Sequence, residues 1–187
     1  MARTKQYDEQ EVLQKAMDLF WENGYEGTSV RMLENKMGIN QFSIYSSFGS
    51  KHGLFLESIK IYKGKLNSIR EKLKESKNGV AGIEQFFYDF LKFTRNNDIN
   101  KGCLVCNSLS ELGSKATPDL IQELMKFTEE IKVLFINNLE QESGKSQETI
   151  KREANYLMTS MLGLSLGSRL LNKEQLDDYI QTTFLNI

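Results

Sequence analysis

The sequence predicts an all-α chain of nine helices, and three observations carry that reading. Apolar residues recur at i, i+3 and i+4 along most of the 187 residues, the spacing of a helix with one buried face. Pro118 is the only proline, which argues against a loop-rich or all-β chain. Charged residues make up 26% of the chain and are spread evenly among the apolar ones, as in a soluble helical protein.

The elements follow in order. Val12, Leu13, Ala16, Met17, Leu19 and Phe20 form one stripe, predicting a first helix from Asp8 to Asn23, with Gly24 as a left-handed C-cap. Thr28 is the expected N-cap of a short helix ending near Lys36, with Val30, Leu33 and Met37 inward. Gly38 supplies a sharp turn, Ile39 fills the corner and Asn40 caps a further short helix, Gln41 to Phe48. Gly49 stops it, and Ser50 caps a long helix from Lys51 to about Lys77 carrying Leu54, Phe55, Ile59, Tyr62, Leu66, Ile69 and Leu73. Asn78-Gly79 breaks that helix, an aromatic-rich one spans Ile83 to Phe93, and Arg95 to Lys101 is a polar loop. Gly102 to Leu112, Asp119 to about Gln141, Ser146 to Leu171 and Lys173 to Ile187 complete the nine, Pro118 suiting a helix start.

Composition narrows the function. Met1 to Glu11 lacks the apolar centre of a signal peptide, and no run approaches the roughly 18 apolar residues of a membrane span, so no membrane partner is expected. Cys103 and Cys106 are the only cysteines, too few for a disulfide framework, which predicts a reducing cytoplasm. One histidine and two cysteines three apart cannot build a Ser/His/Asp, Cys/His or metal-ligand set, so neither an enzyme, a cofactor nor a metal is expected. The net charge of −1 conceals an asymmetry. Asp8, Glu9, Glu11, Asp18, Glu22 and Glu26 face only Lys15 in the first helix region, whereas Arg31, Lys36 and Lys51 outnumber Glu34 in the next, with Arg3 and Lys5 ahead of both. Phosphate binding depends on where charge sits, so the balance permits a nucleic-acid partner.

Two short helices joined by a tight glycine turn are a helix-turn-helix, whose second helix enters the major groove of DNA. Ile44 and Phe48, one turn apart, hold that helix to the core and leave Asn40, Gln41, Phe42, Ser43, Tyr45, Ser46 and Ser47 for DNA. Gln41 can pair bidentately with adenine, and Phe42 can pack on a thymine methyl. Tyr45, Thr28 and Lys51 suit phosphates, the last two at helix N-termini where backbone amides also point outward, and Arg31 is a further candidate DNA contact.

The stretch Ala16, Phe20, Gly24-Tyr25, Thr28-Ser29-Val30, Met37-Gly38-Ile39, Ser43-Ile44-Tyr45, Phe48-Gly49-Ser50-Lys51 and Leu54-Phe55 resembles the N-terminal domain of the TetR/AcrR repressors. The resemblance implies a TetR-like fold: a helix-turn-helix DNA-binding domain over residues 1–50, and a ligand-binding and dimerisation domain over residues 51–187. It also implies phosphate contacts at Thr28, Tyr45 and Lys51, base reading at Gln41, Phe42 and Ser43, a pocket among the middle helices and dimerisation through the last two. The sequence departs from the family pattern in having Phe42 where glycine or proline is common, and no Lys or Arg in the recognition helix, so readout should lean on amide and apolar contacts.

The resulting expectation is a repressor that binds an inverted repeat of double-stranded DNA as a homodimer and is released by a small apolar effector. Tyr62, Phe86, Phe90, Phe127 and Tyr156 are the candidate pocket residues, together with Cys103 and Cys106, which offer the alternative of an oxidant or electrophile trigger. Most of the aromatic set reads as ordinary core, since each helix needs a buried side, with only a part of it left to touch a ligand. Ser160, Gly163 and Gly167 form a small-residue stripe, which with Tyr179, Ile180 and Phe184 predicts the dimer interface. His52 is expected on the exposed surface, and the run Lys60, Lys63, Lys65, Arg70, Lys72, Lys74 and Lys77 as a solvated face.

Overall fold

A computed structural model describes residues 7–95, 100–185 and 187; Arg3, Lys5 and most of the expected Arg95–Lys101 loop lie outside them. The described residues form ten α-helices and one 3₁₀ turn, with no strand. These are α1 (Glu9–Gly27), α2 (Val30–Met37), α3 (Gln41–Phe48), α4 (Lys51–Lys65), α5 (Asn67–Glu75), α6 (Gly79–Thr94), α7 (Leu104–Leu112), α8 (Pro118–Leu139), α9 (Gln147–Gly167) and α10 (Lys173–Phe184).

The tenth helix arises because the expected Lys51–Lys77 helix is two. At Leu66 (φ −84°, ψ −6°) the hydrogen-bond ladder of the helix is interrupted, its N–H turning to Lys63 O at 3.2 Å. Gly64 weakens the helix just before the break by roughly 1 kcal/mol relative to alanine. Leu66 itself is buried, so the bend is held by packing.

Two start signals move. Thr28 is not the N-cap of α2: Ser29 is, its hydroxyl accepting from Met32 N–H at 3.2 Å. Thr28 is fully buried, and its hydroxyl donates to Gly24 O at 2.6 Å. α6 starts at Gly79 rather than Ile83, because side chains of the turn just after α8 satisfy its first amides: Gly79 N–H donates to Gln141 at 3.1 Å and Val80 N–H to Glu142 at 3.0 Å. Gly24 ends the regular part of α1 at φ 75°, ψ 176°, and one further turn follows it.

α1 lies along α4, where Phe20 meets Phe55 edge-on with centroids 4.9 Å apart. α2 and α3 sit across their end through Leu33, Met37 and Ile44. α5, α6 and α8 build the centre of the larger part around Phe86, Phe87, Phe127 and Phe135, and α9 and α10 close it from the other side. The basic run of α4 and α5 is not simply solvated: Lys63 pairs with Glu123 at 2.7 Å and Arg70 with Glu130 at 2.8 Å, both on α8.

Candidate nucleic-acid interface

Gly38, at φ 73°, ψ 22°, makes the left-handed turn between α2 and α3 that a side chain would oppose. Two side chains then satisfy the start of α3. Asn40 accepts from Ser43 N–H at 2.9 Å, and the Glu34 carboxylate, reaching from α2, accepts from Gln41 N–H at 2.6 Å. Ile44 is fully buried and Phe48 half-buried, which fixes the inner face. Tyr7, ahead of α1, holds the flank: its hydroxyl lies 2.7 Å from Ser47 Oγ. What remains outward is Gln41, Phe42, Tyr45 and Ser46, with Ser43 half-buried beside them. Phe42 is 81% exposed, a large apolar ring that no intrachain packing explains.

Cations flank this uncharged face. Arg31 and Lys36 are exposed on α2. Lys51 opens α4 behind the Ser50 cap, which accepts from Gly53 N–H at 3.0 Å. Its ammonium sits 4.4 Å from the Tyr25 ring centroid. Partial burial lowers the Lys51 pKa from its ordinary value, against the opposing pull of the Glu26 and Glu111 carboxylates. The structure therefore brings Arg31, Gln41, Phe42, Ser43, Tyr45, Ser46 and Lys51 to one side. It spends Asn40 on the cap and places the Thr28 side chain in the core, with Ser29 at the exposed position expected of Thr28.

Residues 12–58 match the family model for bacterial regulatory proteins of the tetR family. Over that stretch the chain carries a domain of this family. It is 28% identical over 190 residues to the uncharacterised HTH-type transcriptional regulator YezE of Bacillus subtilis, covering 98% of this chain and 97% of that one. The HTH-type transcriptional repressor ComR of Escherichia coli is 30% identical over 112 residues, 59% of this chain and 53% of ComR. Among solved structures, a cysteine-substituted form of the TetR-family regulator CifR in complex with double-stranded operator DNA superposes with a TM-score of 0.84 at 25% identity over 98% of both chains. TetR-family members are DNA-binding transcriptional regulators without enzymatic activity. No described helix is long and apolar enough to cross a membrane, and no group of three or more His, Cys, Asp or Glu among the described residues is placed to hold a metal.

The expected pocket does not converge. Phe86, Phe90 and Phe127 are close-packed core, and Tyr156 stands 50% exposed on the outer side of α9. Grooves lie elsewhere: about 440 Å³ between α1, α3, α4 and α8, and about 330 Å³ along α5 and α6, edged by Phe86. Tyr62 is wholly buried, edge-on to Trp21 at 5.0 Å, and its hydroxyl has no nitrogen or oxygen partner. It faces Cys103, the N-cap of α7, whose backbone N–H donates to Ser165 Oγ at 3.0 Å. Burial raises the Cys103 thiol pKa, but hydrogen bonds from Cys106 and Tyr62 outweigh it, so Cys103 is the more acidic of the pair. Its hydrogen bond and burial push Cys106 the other way.

Most of the expected dimer residues turn inward as well, while Gly163 lies on the exposed side of α9. Ser160 and Ile180 are buried, the Tyr179 hydroxyl donates to Ser160 O at 3.0 Å, and Phe184 meets Phe87 edge-on at 5.1 Å. A Cβ at Gly163 would come within 2.9 Å of Tyr179 Oη, and one at Gly167 within 3.4 Å of Leu176. The glycine stripe thus admits α10 of the same chain. The outer face of α9 instead shows Tyr156, Leu162 and Leu166, continued by Leu170.

His52 is not a free surface residue either. Its Nε2 lies 2.9 Å from Asp119 Oδ2 and 3.3 Å from Thr117 Oγ1, joining the start of α4 to the start of α8. Hydrogen bonds from Thr117 and then His52 push the Asp119 carboxyl down to about 2.

Proposed function

We propose that the chain is a dimeric repressor that reads an inverted-repeat operator through α3 and leaves it when a small effector binds. The observation that carries the reading is the outward face of α3: Gln41, Phe42, Tyr45 and Ser46 are exposed on a helix whose ends, flank and inner face are all fixed. A rigid, uncharged face suits base edges better than phosphates: Gln41 toward adenine, Phe42 toward a thymine methyl and Ser43 beside them. Arg31, Tyr45 and Lys51 take the backbone, with Ser29 and the first amides of α2 where Thr28 was expected. The relatives support the partner: CifR is solved with operator DNA, and ComR is a transcriptional repressor.

Residues 1–50 would read DNA and residues 51–187 would sense and dimerise in the cytoplasm. The exposed stripe of Tyr156, Leu162, Leu166 and Leu170 on and after α9 supports a second copy as its cover, since adjacent exposed leucines on one helix favour association. The effector is apolar or weakly polar. It acts only by its differential affinity for the free and DNA-bound states. The test is anisotropy with duplexes selected by the protein from a random-sequence pool. Gln41→Ala should relax base preference at one symmetric position, and Lys51→Ala should weaken all sequences alike. Unchanged affinity and preference in both variants would remove α3 from the reading.

One observation favours a second trigger. Cys103 and Cys106 occupy the first turn of α7 in hydrogen-bonding contact, with Cys103 the more acidic. Hypochlorous acid would take two electrons from the pair, forming a disulfide and leaving as chloride and water with release of a proton. Both thiols are buried, so α7 must first part from its neighbours. Release of DNA by hypochlorite from wild type but not from a Cys103→Ser, Cys106→Ser variant establishes this route; equal behaviour removes it.

A further inference from the structure

α7 grips the end of α1 at two places. At its leading end, Trp21 Nε1 donates to Gly102 O at 2.9 Å, and Lys101 pairs with Glu22 at 2.9 Å, the two side chains only 16% and 34% exposed. At its trailing end the Glu111 carboxylate accepts from two backbone amides of α1, Tyr25 N–H at 2.9 Å and Glu26 N–H at 2.7 Å. Those amides open the single turn that follows the Gly24 break, so an anion there meets the positive end of a helical turn. Gly24 permits the approach, since a Cβ on it would stand 2.6 Å from Glu111 Oε2.

The same turn carries Tyr25, whose ring seats Lys51 and packs on Phe55 with centroids 4.9 Å apart. α7 is tied on its other side to α9 through Cys103 N–H and Ser165. It therefore stands between the helix that presents the exposed apolar stripe and the turn that seats a phosphate-binding lysine.

We propose that Glu111 is a positioning residue for DNA recognition: its carboxylate locks the last turn of α1 to α7 and so fixes the angle at which α3 is presented. The proposal deepens the operator reading and rests on it. When α7 shifts, Glu111 carries the Tyr25–Gly27 turn with it, and the seat of Lys51 and the pose of α3 follow. The coupling has a discrete contact to make or lose, as a two-state element requires. Trp21, Glu22 and the trailing-end contacts make α7, alongside α4, the arm that reaches the DNA-binding helices.

Two measurements test it. The first needs no DNA: spin labels at Ser46→Cys and Glu129→Cys, in a Cys103→Ser, Cys106→Ser background, report the distance from α3 to α8 by double electron–electron resonance. Glu111→Gln keeps the shape of the side chain and loses its charge and one acceptor oxygen. It should broaden or shift that distance distribution, while far-ultraviolet circular dichroism stays that of wild type. The second uses the selected duplex with one base pair added between half-sites, which rotates them by roughly 35° relative to each other. The affinity ratio between native and lengthened duplex should fall several-fold in Glu111→Gln, because a loosened domain tolerates the altered spacing. A merely stabilising carboxylate would leave that ratio unchanged. If Glu111→Gln folds poorly, Glu111→Asp, too short to span both amides, takes its place. An unaltered distance distribution overturns the proposal, even if the duplex selection fails and takes the operator reading with it. An unaltered spacing ratio overturns it while the operator reading stands.

Discussion

Replacing Gly24 with alanine perturbs one position in two separable ways. The backbone there has φ 75° and ψ 176°, a region open in practice to glycine alone, so an L side chain costs about 1–3 kcal/mol. The new Cβ would also stand 2.6 Å from Glu111 Oε2 and 2.9 Å from its Cδ, so the carboxylate must leave. Its two hydrogen bonds to Tyr25 and Glu26 go with it; because the groups are exposed and rehydrate, that loss is about 1 kcal/mol. Together the two effects come to about 3 kcal/mol, which in a chain of this length lowers Tm by about 6–12 °C. Thermal unfolding by circular dichroism at one fixed protein concentration measures it, since the proposed dimer would melt in a concentration-dependent way. The double variant Gly24→Ala, Glu111→Ala separates the parts: with the carboxylate already gone, Gly24→Ala should cost only the backbone strain, a coupling of about 1 kcal/mol. A Gly24→Ala protein melting within about 2 °C of wild type would refute the reasoning.

Other expectations follow from the same geometry. Phe127→Ala should cost about 3–5 kcal/mol, because Phe127 is core and not pocket lining; a small change in Tm would reopen the pocket reading. Phe42→Ala should leave folding stability within about 0.5 kcal/mol of wild type, its ring being 81% exposed, while weakening duplex binding; equal binding would deny Phe42 a role in readout. Leu166→Glu should yield folded monomers by analytical ultracentrifugation, whereas Gly163→Leu should destabilise the fold by displacing Tyr179; the reverse pattern would return the glycines to the dimer interface. Asp119 is held near 2 in the folded chain, below the unfolded value of about 3.9, so its stabilisation is complete above pH about 4 and fades as pH falls toward 2. Asp119→Asn should flatten that part of an acid titration, and an unchanged profile would mean that the His52 and Thr117 contacts are not made in solution.

The local signals of the sequence proved most legible where neighbours in sequence are also neighbours in space. Asn40 and Ser50 cap the helices expected of them, and Ile44 is the buried anchor of α3, because cap and stripe are decided within one turn. Thr28 and Ser29 are adjacent hydroxyls, each able to cap, and the choice fell to Ser29 only because Thr28 is drawn into the core by Gly24 O. The contacts that escaped are distant: Glu111 is 86 residues from Tyr25, and Asp119 is 67 from His52. For Gly163 and Gly167 the spacing identified a close-approach face, but periodicity cannot say whether the approaching helix belongs to the same chain. The aromatic set met the same limit, since a ring facing inward reads alike whether it meets a ligand or another ring. Gly64 is only a weak local hint of the break, since a single helical glycine is tolerated and the apolar stripe runs through Leu66 unbroken.

Glu34 gives α3 a character of its own. A helix inserted end-first toward DNA ordinarily offers its positive pole to the nearest phosphate, a grip that any sequence satisfies equally. Here a carboxylate of the same domain already occupies that pole at 2.6 Å from Gln41 N–H, and the helix carries no cation of its own. Much of the indiscriminate attraction is thereby cancelled before DNA arrives. On the proposed reading, the recognition helix would be weakly held on random duplex and dependent on the few base edges that fit Gln41 and Phe42. Such a regulator gives up grip for selectivity: it should show a shallow dependence on salt and spend little time parked on the rest of the chromosome.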